Sequence, residues 1–280
     1  IMANVSELLK HSDQLQSTSD SPQLDCELLL CYVLDVDRTW LRTWPEKPVS
    51  KSLEAKFCAL LEQRVQGQPI AYLVGSRGFW SMDLQVSQDT LIPRPETELL
   101  VELALNLRLP KKSHGLDLGT GTGAVALALA TERPDMNFIA VDHQVGAVSL
   151  AIKNCQTLGL SNVNIFQSDW FDSLQLSGNQ FDLIVSNPPY ISVNDPHLQQ
   201  GDVRYEPNSA LVSGVDGLDD LKKIITQSPL YLKSDGWLLL EHGFDQGLAV
   251  VRLMIEAGFQ EVVTHKDYNQ IDRVTLGQWA

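Results

Sequence analysis

The sequence predicts an α/β protein in three parts: a small helical domain over residues 1–74, a β-hairpin linker over 75–95, and a larger domain over 96–280 built on a parallel sheet with helices on both faces. Three observations predict this. Across the first 74 residues, apolar side chains recur at helical spacing. From His114 onward, strand-like and helix-like stretches alternate. The first of those strands runs straight into a glycine-rich loop, Gly119-Thr120-Gly121-Thr122-Gly123, and then a helix.

Each element has its own signal. Val5-Leu8-Leu9, Leu24-Leu28-Leu29-Tyr32-Val33 and Leu53-Phe57-Leu60-Leu61-Val65 form helical stripes. Ser21-Pro22 and Ser50 are helix starts, and Gly67 is a stop. Four or five short helices are expected. From Gly75 the pattern turns strand-like through Phe79, Trp80, Met82, Leu84 and Val86. A turn is expected at Ser87-Gln88-Asp89 and a short second strand at Leu91-Ile92. Pro93-Arg94-Pro95-Glu96-Thr97-Glu98 opens a helix to about Leu109, with proline and acids in the first turn. Strands follow at 115–118, 137–142, 163–167, 181–186 and 236–241, with helices at 123–132, 144–158, 217–232 and 245–257. Residues 259–266 and 271–276 read as a closing pair of strands, and the polar stretch 195–217 as a lid or substrate loop.

Bulk composition narrows the function. The chain has 280 residues and a net charge of −14. Affinity built on phosphate neutralisation needs clustered Lys and Arg, so no direct nucleic-acid partner is expected. Cys26, Cys31, Cys58 and Cys155 form no CxxC pair and no metal-ligand spacing. No metal is expected. No stretch reaches the roughly 18 to 20 apolar residues of a membrane span. The amino terminus lacks the basic start and apolar middle of a signal peptide. A cytoplasmic monomer is the expectation.

The chemistry is concentrated at strand ends. Alternate glycines at 119, 121 and 123 let the backbone turn sharply and let a ligand touch it. The helix amino terminus beyond them favours an anionic group. Asp142, 19 residues beyond Gly123, ends the next strand, where an acid can accept from two ribose hydroxyls. By itself this loop also satisfies a relaxed dinucleotide fingerprint, leaving nicotinamide and sulfonium cofactors open. Ser168-Asp169-Trp170 places an acid and a large aromatic after the third strand, suited to an adenine ring. After the fourth come Asn187-Pro188-Pro189-Tyr190. Two prolines stop the strand and stiffen a turn that presents an amide, a fixed carbonyl and an aromatic ring. That set can hold a planar NH2 group.

Together these motifs resemble the S-adenosylmethionine-dependent methyltransferases of the Rossmann-like, seven-stranded class. The Asn-Pro-Pro-Tyr turn is similar to the subset that methylates amide or exocyclic amino nitrogens. Ile92 to Glu98, Asp195-Pro196-His197-Leu198, Arg204-Tyr205-Glu206-Pro207 and Leu239-Leu240-Glu241-His242-Gly243 extend the likeness over nearly the whole chain, to the HemK/PrmC family. The resemblance implies methyl transfer from S-adenosyl-L-methionine, with S-adenosyl-L-homocysteine as product, to the side-chain nitrogen (N5) of the glutamine in the Gly-Gly-Gln motif of class I peptide chain release factors. Gly119, Thr120, Gly121, Thr122, Gly123, Asp142, Trp170 and Asn187 would contact the cofactor. Asn187, Pro188, Pro189 and Tyr190 would contact the substrate, with Asn187, Pro188 and Tyr190 carrying the catalysis.

The residues suit that reaction. An amide nitrogen is a poor nucleophile, and its N–H groups become more acidic as it attacks. Acceptors aimed at them, the Asn187 side-chain oxygen and the Pro188 carbonyl, stabilise that change selectively. Rival readings are a glutamine methyltransferase of a ribosomal protein, a DNA adenine N6-methyltransferase, a nicotinamide-dependent oxidoreductase and a non-catalytic binding module. Arg94, Glu241 and His242 receive no catalytic role from sequence alone.

Overall fold

The computed structural model describes residues 2–174 and 180–280. The chain divides into two compact units, one of residues 1–76 with 196–205, the other of 77–195 with 206–280.

The first unit holds α1 (Val5–Leu9), α2 (Pro22–Leu34), α3 (Arg38–Thr43), α4 (Lys51–Val65) and α5 (Ile70–Val74). Local chemistry sets their ends. Asn4 and Glu7 form a reciprocal capping box at α1, and Ser50 caps α4 through Leu53 N–H. Their inner faces bury Val5, Leu8, Leu29, Leu30, Phe57 and Leu61 in one core. Arg64 is buried too, its Nε donating to Asp25 at 2.7 Å and its Nη1 to Asp202 at 3.0 Å. Residues 196–205, part of the stretch expected to be a lid, are thus tied to the helices. Arg204 and Tyr205 both donate to the Gln66 carbonyl as well.

The second unit begins at Arg77, within the hairpin β1 (Ser76–Phe79) and β2 (Met82–Gln85), and continues into α6 (Glu98–Asn106). The hairpin turns earlier than the sequence suggests, at Trp80, whose φ is +55° and whose N–H donates to Glu98. Leu91-Ile92 forms no strand. The Ile92 N–H goes to the Glu206 carboxylate at 2.9 Å, so it has no strand partner to seek. Phe79, Met82 and Leu84 pack into the sheet core.

Then β3 (His114–Leu118), α7 (Ala124–Glu132), β4 (Asn137–Asp142), α8 (Val145–Thr157), β5 (Val163–Gln167), β6 (Phe181–Ser186), α9 (Asp219–Gln227), β7 (Leu232–Glu241), α10 (Gly247–Ala257), β8 (Gln260–Lys266) and β9 (Asp272–Gln278) complete it. Among the described residues the main sheet has seven strands in the order β5-β4-β3-β6-β7-β9-β8, with β9 antiparallel to both neighbours. The seven-stranded α/β expectation holds. Helix 217–232 is shorter than expected, because α9 gives way to a 3-10 turn at Ser228–Leu230. The strand order reverses beside β3, the place where open α/β sheets bind ligands at their carboxyl ends. Among the described residues no helix is long and apolar enough to cross a membrane.

Candidate active site

A cavity of about 350 Å³ lies beyond the carboxyl ends of β3, β4, β5 and β6. Its walls include Gly119, Thr120, Gly121, Thr122, Asp142, Trp170, Asn187 and Pro189. Gly123, Pro188 and Tyr190 do not line it. Gly123 instead ends the loop at φ +87° and caps α7, and Pro188 is buried.

The glycine loop is held from two sides. The N–H groups of Gly119 and Thr120 both donate to the Val141 carbonyl at 2.9 Å. The Gly121 N–H donates to Asp142 Oδ2 at 2.9 Å, and Gln144 N–H to Asp142 Oδ1 at 2.9 Å. Each Asp142 oxygen therefore keeps a lone pair for a further donor. Asn154 joins the loop to the hairpin, donating to the carbonyls of Thr122 and Gln85. Beneath the loop, Asp117 accepts from Thr120 Oγ1 at 2.6 Å and from Ala126 N–H. Burial pushes its carboxyl up to about 6. Asp117 lines the cavity but was not singled out by sequence reasoning, although it opens the glycine motif.

These residues fit a nucleoside with a charged tail. A Cβ at Gly121 would stand in open space, so the loop leaves room there. A Cβ at Gly119 would crowd the Trp170 ring at 3.3 Å, so the indole packs close over the loop there. Asp142 supplies acceptors at one edge.

The Asn-Pro-Pro-Tyr turn is fixed from behind. Asn187 Nδ2 donates to Thr97 Oγ1 at 3.1 Å, so the amide presents its oxygen as the acceptor. The Tyr190 hydroxyl donates to Glu241 Oε1 at 3.3 Å. Burial, then the neighbouring Glu241, pushes the Tyr190 phenol well above its usual range. The Tyr190 carbonyl accepts from Gln246 Nε2 at 3.0 Å. Burial pushes the Glu241 carboxyl up to about 7, against the nearby Thr97 hydroxyl, the charge of Arg273 and the Tyr190 hydrogen bond. Arg94, on the cavity wall, is ion-paired with the buried Glu206. His242 is spent on structure, its ring between the Gly243 carbonyl and the Thr275 hydroxyl. Burial lowers its pKa. Sequence reasoning missed Thr97, Gln246 and Glu206, because their roles exist only across the fold.

Residues 7–75 match the PrmC N-terminal domain, and residues 95–201 the methyltransferase small domain. A release factor glutamine methyltransferase of Aliivibrio fischeri is 52% identical over 279 residues, covering 99% of this chain and 98% of the relative. One of Pseudomonas aeruginosa is also 52% identical, covering 100% of both. Among solved structures, a methyltransferase from Pyrococcus furiosus superposes with a TM-score of 0.53 at 16% identity, covering 78% of this chain and 96% of that one. That likeness is one of fold.

Proposed function

This chain belongs to the family of release factor glutamine methyltransferases, and from that membership we propose how its site divides the work. It is an S-adenosylmethionine-dependent protein-glutamine methyltransferase acting on peptide chain release factors. The glutamine of their Gly-Gly-Gln motif is the acceptor, methylated at N5.

The cavity walled by Gly119, Asp142 and Trp170 takes the adenosine, with Asp142 on the ribose hydroxyls and the amino terminus of α7 near the carboxylate tail. S-adenosylmethionine, when bound, supplies an electrophilic methyl group. The remaining work falls to the turn after β6. Asn187 Oδ1 and the Pro188 carbonyl accept the N–H groups of the substrate amide, which they stabilise more as the nitrogen becomes tetrahedral. Pro189 stiffens the turn, and Tyr190 holds its far end. Pro188 and Tyr190 lie off the cavity wall, so they act from the rim and from behind.

The observation that carries this reading is Asn187 on the cavity wall with its nitrogen engaged on Thr97, which leaves its oxygen as the acceptor. The helical unit docks the release factor, supported by its match to the PrmC N-terminal domain and its lack of a cofactor motif. All the cavity walls come from the α/β unit. The cytoplasm, where translation terminates, is the place of action.

The test is labelled S-adenosylmethionine with release factor, the same factor with the Gly-Gly-Gln glutamine replaced, a ribosomal protein and duplex DNA. Label only in intact release factor supports the reading. Label in DNA or ribosomal protein but not in release factor overturns it.

A further inference from the structure

The motif Leu239 to Gly243 runs on into a tight turn, Gly243 to Gln246, at the carboxyl end of β7. Gln246 N–H donates to the Gly243 carbonyl at 3.1 Å, and Gly243 N–H to Gln246 Oε1 at 2.8 Å. The Nε2 of the same buried side chain donates to the Tyr190 and Gly217 carbonyls. A turn fixed this firmly nevertheless holds Phe244 out in solvent, 68% exposed. Leu248, in the first turn of α10, is 84% exposed. Beyond Gln246, Val193 and Val215 are 52% and 74% exposed on adjoining segments. Val193 N–H donates to the Gly214 carbonyl at 3.0 Å, and the Ser192 hydroxyl to the Val215 carbonyl at 2.6 Å. A single exposed apolar side chain needs no explanation. Four gathered around one buried glutamine, beside a binding turn, mark an interaction surface.

We propose that Phe244, with Leu248, Val193 and Val215, seats the segment of the release factor that flanks the methylated glutamine. This rests on the functional reading above. Two observations select that occupant. The first is continuity with the substrate turn. Gln246 ties the patch to Tyr190, the residue after Pro189 on the cavity wall. Through those links Phe244 lies within about 20 Å of Pro189, a span of about six extended residues. A chain that places its glutamine in the cavity therefore brings its neighbours within reach of Phe244.

The second is charge. Asp216, Asp219 and Asp245 are exposed around the patch, and Lys222 is shared between the first two. The seat suits an apolar side chain bordered by Lys or Arg. A second copy of this chain, with a net charge of −14, is a poor occupant. An aromatic ring already held on a rigid turn loses little freedom when covered, so its burial contributes directly to binding.

The experiment uses the full chain, intact release factor and labelled S-adenosylmethionine. It compares Phe244→Ala, Phe244→Leu, Leu248→Ala and Asp245→Asn with Ile255→Ala, an exposed apolar residue farther along α10. Phe244→Ala is expected to raise KM for release factor about 10- to 100-fold, the scale of a lost anchor. Phe244→Leu, still apolar, raises it less. Leu248→Ala raises it about threefold or more. Asp245→Asn raises it about threefold at low salt and less at high salt. Ile255→Ala leaves it unchanged. For every variant, kcat at saturating release factor and the calorimetric Kd for S-adenosylmethionine stay within about threefold, since no group at the reacting atoms moves. Phe244 replaced by p-benzoylphenylalanine then identifies the occupant. Its cross-link is expected within about six residues of the Gly-Gly-Gln glutamine.

A cross-link to a remote part of the release factor, or to a second copy of this chain, overturns the inference. So does a loss confined to kcat, or Ile255→Ala as damaging as Phe244→Ala. Should Phe244→Ala fail to fold, Leu248→Ala and the cross-link decide. An active wild type indifferent to Phe244→Ala overturns this inference alone. A wild type silent towards release factor overturns the functional reading and this inference with it.

Discussion

Gly217 and Tyr190 meet backbone to backbone. Gln246 Nε2 donates to both carbonyls, at 3.0 Å to Tyr190 and 3.3 Å to Gly217. A Cβ on Gly217 would collide with the Tyr190 carbonyl oxygen, and the residue has φ +72°. An alanine there is disfavoured twice, by the left-handed backbone at about 1–2 kcal/mol and by a clash that only backbone movement relieves. Gly217→Ala is expected to lower kcat about tenfold or more by shifting the turn. Cofactor affinity, measured by calorimetry, should barely change. A variant with weakened cofactor binding and normal kcat would show that the clash is relieved elsewhere.

Asn187→Ala removes the one side-chain acceptor aimed at the substrate amide. Its expected loss in kcat is about 10²- to 10³-fold, the scale found for single preorganised groups at developing charge. Asn187→Asp is a sharper test. It keeps an oxygen at the cavity but cannot donate to Thr97. Single-turnover rates at saturating cofactor measure both. Near-wild-type turnover in Asn187→Ala would remove Asn187 from the chemistry.

Asp142 does two things at once, bracing Gly121 and Gln144 while facing the cavity. Asp142→Ala should therefore weaken S-adenosylmethionine binding by at least tenfold, with loss of charge-assisted hydrogen bonds worth about 1.5–3 kcal/mol each. Asp142→Asn can brace only in part, because one of its two side-chain atoms donates. Calorimetric Kd values in the order wild type, Asn, Ala are expected. Equal affinity in Asp142→Ala would place the ribose elsewhere.

The parts legible in sequence are those that announce themselves through the backbone. Gly119 and Gly121 sit at φ +72° and +57°, which few other residues tolerate, and Pro188-Pro189 can only break a strand. Asp142 was visible by its place at a strand end. The roles of Thr97, Gln246 and Glu241 were not, since the turn residues they hold lie 51 to 90 residues away and no local pattern links them. The hairpin turn hid because Trp80 is no turn residue. Its left-handed backbone is held by Glu98, a tertiary contact. The grouping of residues 196–205 with the helices depends on Arg64, Gln66 and Asp202 meeting, which spacing cannot show.

Glu241 makes activity and stability respond to pH with opposite signs. Its carboxyl is pushed up to about 7, by burial before anything else. The groups facing it are Thr97 and Glu96 from the helix entry, Tyr190 from the turn and Arg273 from β9. The ionised form accepts from the Tyr190 hydroxyl at the end of the turn, so kcat should rise through about pH 7 and level off above it. The folded state holds this proton more tightly than the unfolded chain, whose carboxyl titrates near 4.5. The stabilising effect is therefore full below about pH 4.5 and is lost as pH rises to 7, by about 3 kcal/mol in all. Asp117 acts in the same direction at about 6, so the difference between wild type and Glu241→Gln is the quantity to measure. A kcat limb near pH 7 that persists in Glu241→Gln would assign it to another group.

Arg64 is a buried cation of the helical unit. Its side chain and that of Asp25 are 7% and 9% exposed, and they meet at 2.7 Å. Removing the guanidinium leaves a carboxylate buried without its counter-charge. Arg64→Leu should cost about 3–5 kcal/mol, while replacing both partners, Arg64→Leu with Asp25→Leu, should recover most of it. Asp202 is 39% exposed, so Asp202→Asn should cost no more than about 1 kcal/mol, although it loosens the 196–205 segment. Urea unfolding resolves these, read at the transition of the helical unit because two units need not unfold together. A double variant no more stable than Arg64→Leu would mean that Arg64 acts through the carbonyls of Gly67 and Gln68, which it also reaches, and not through the Asp25 charge.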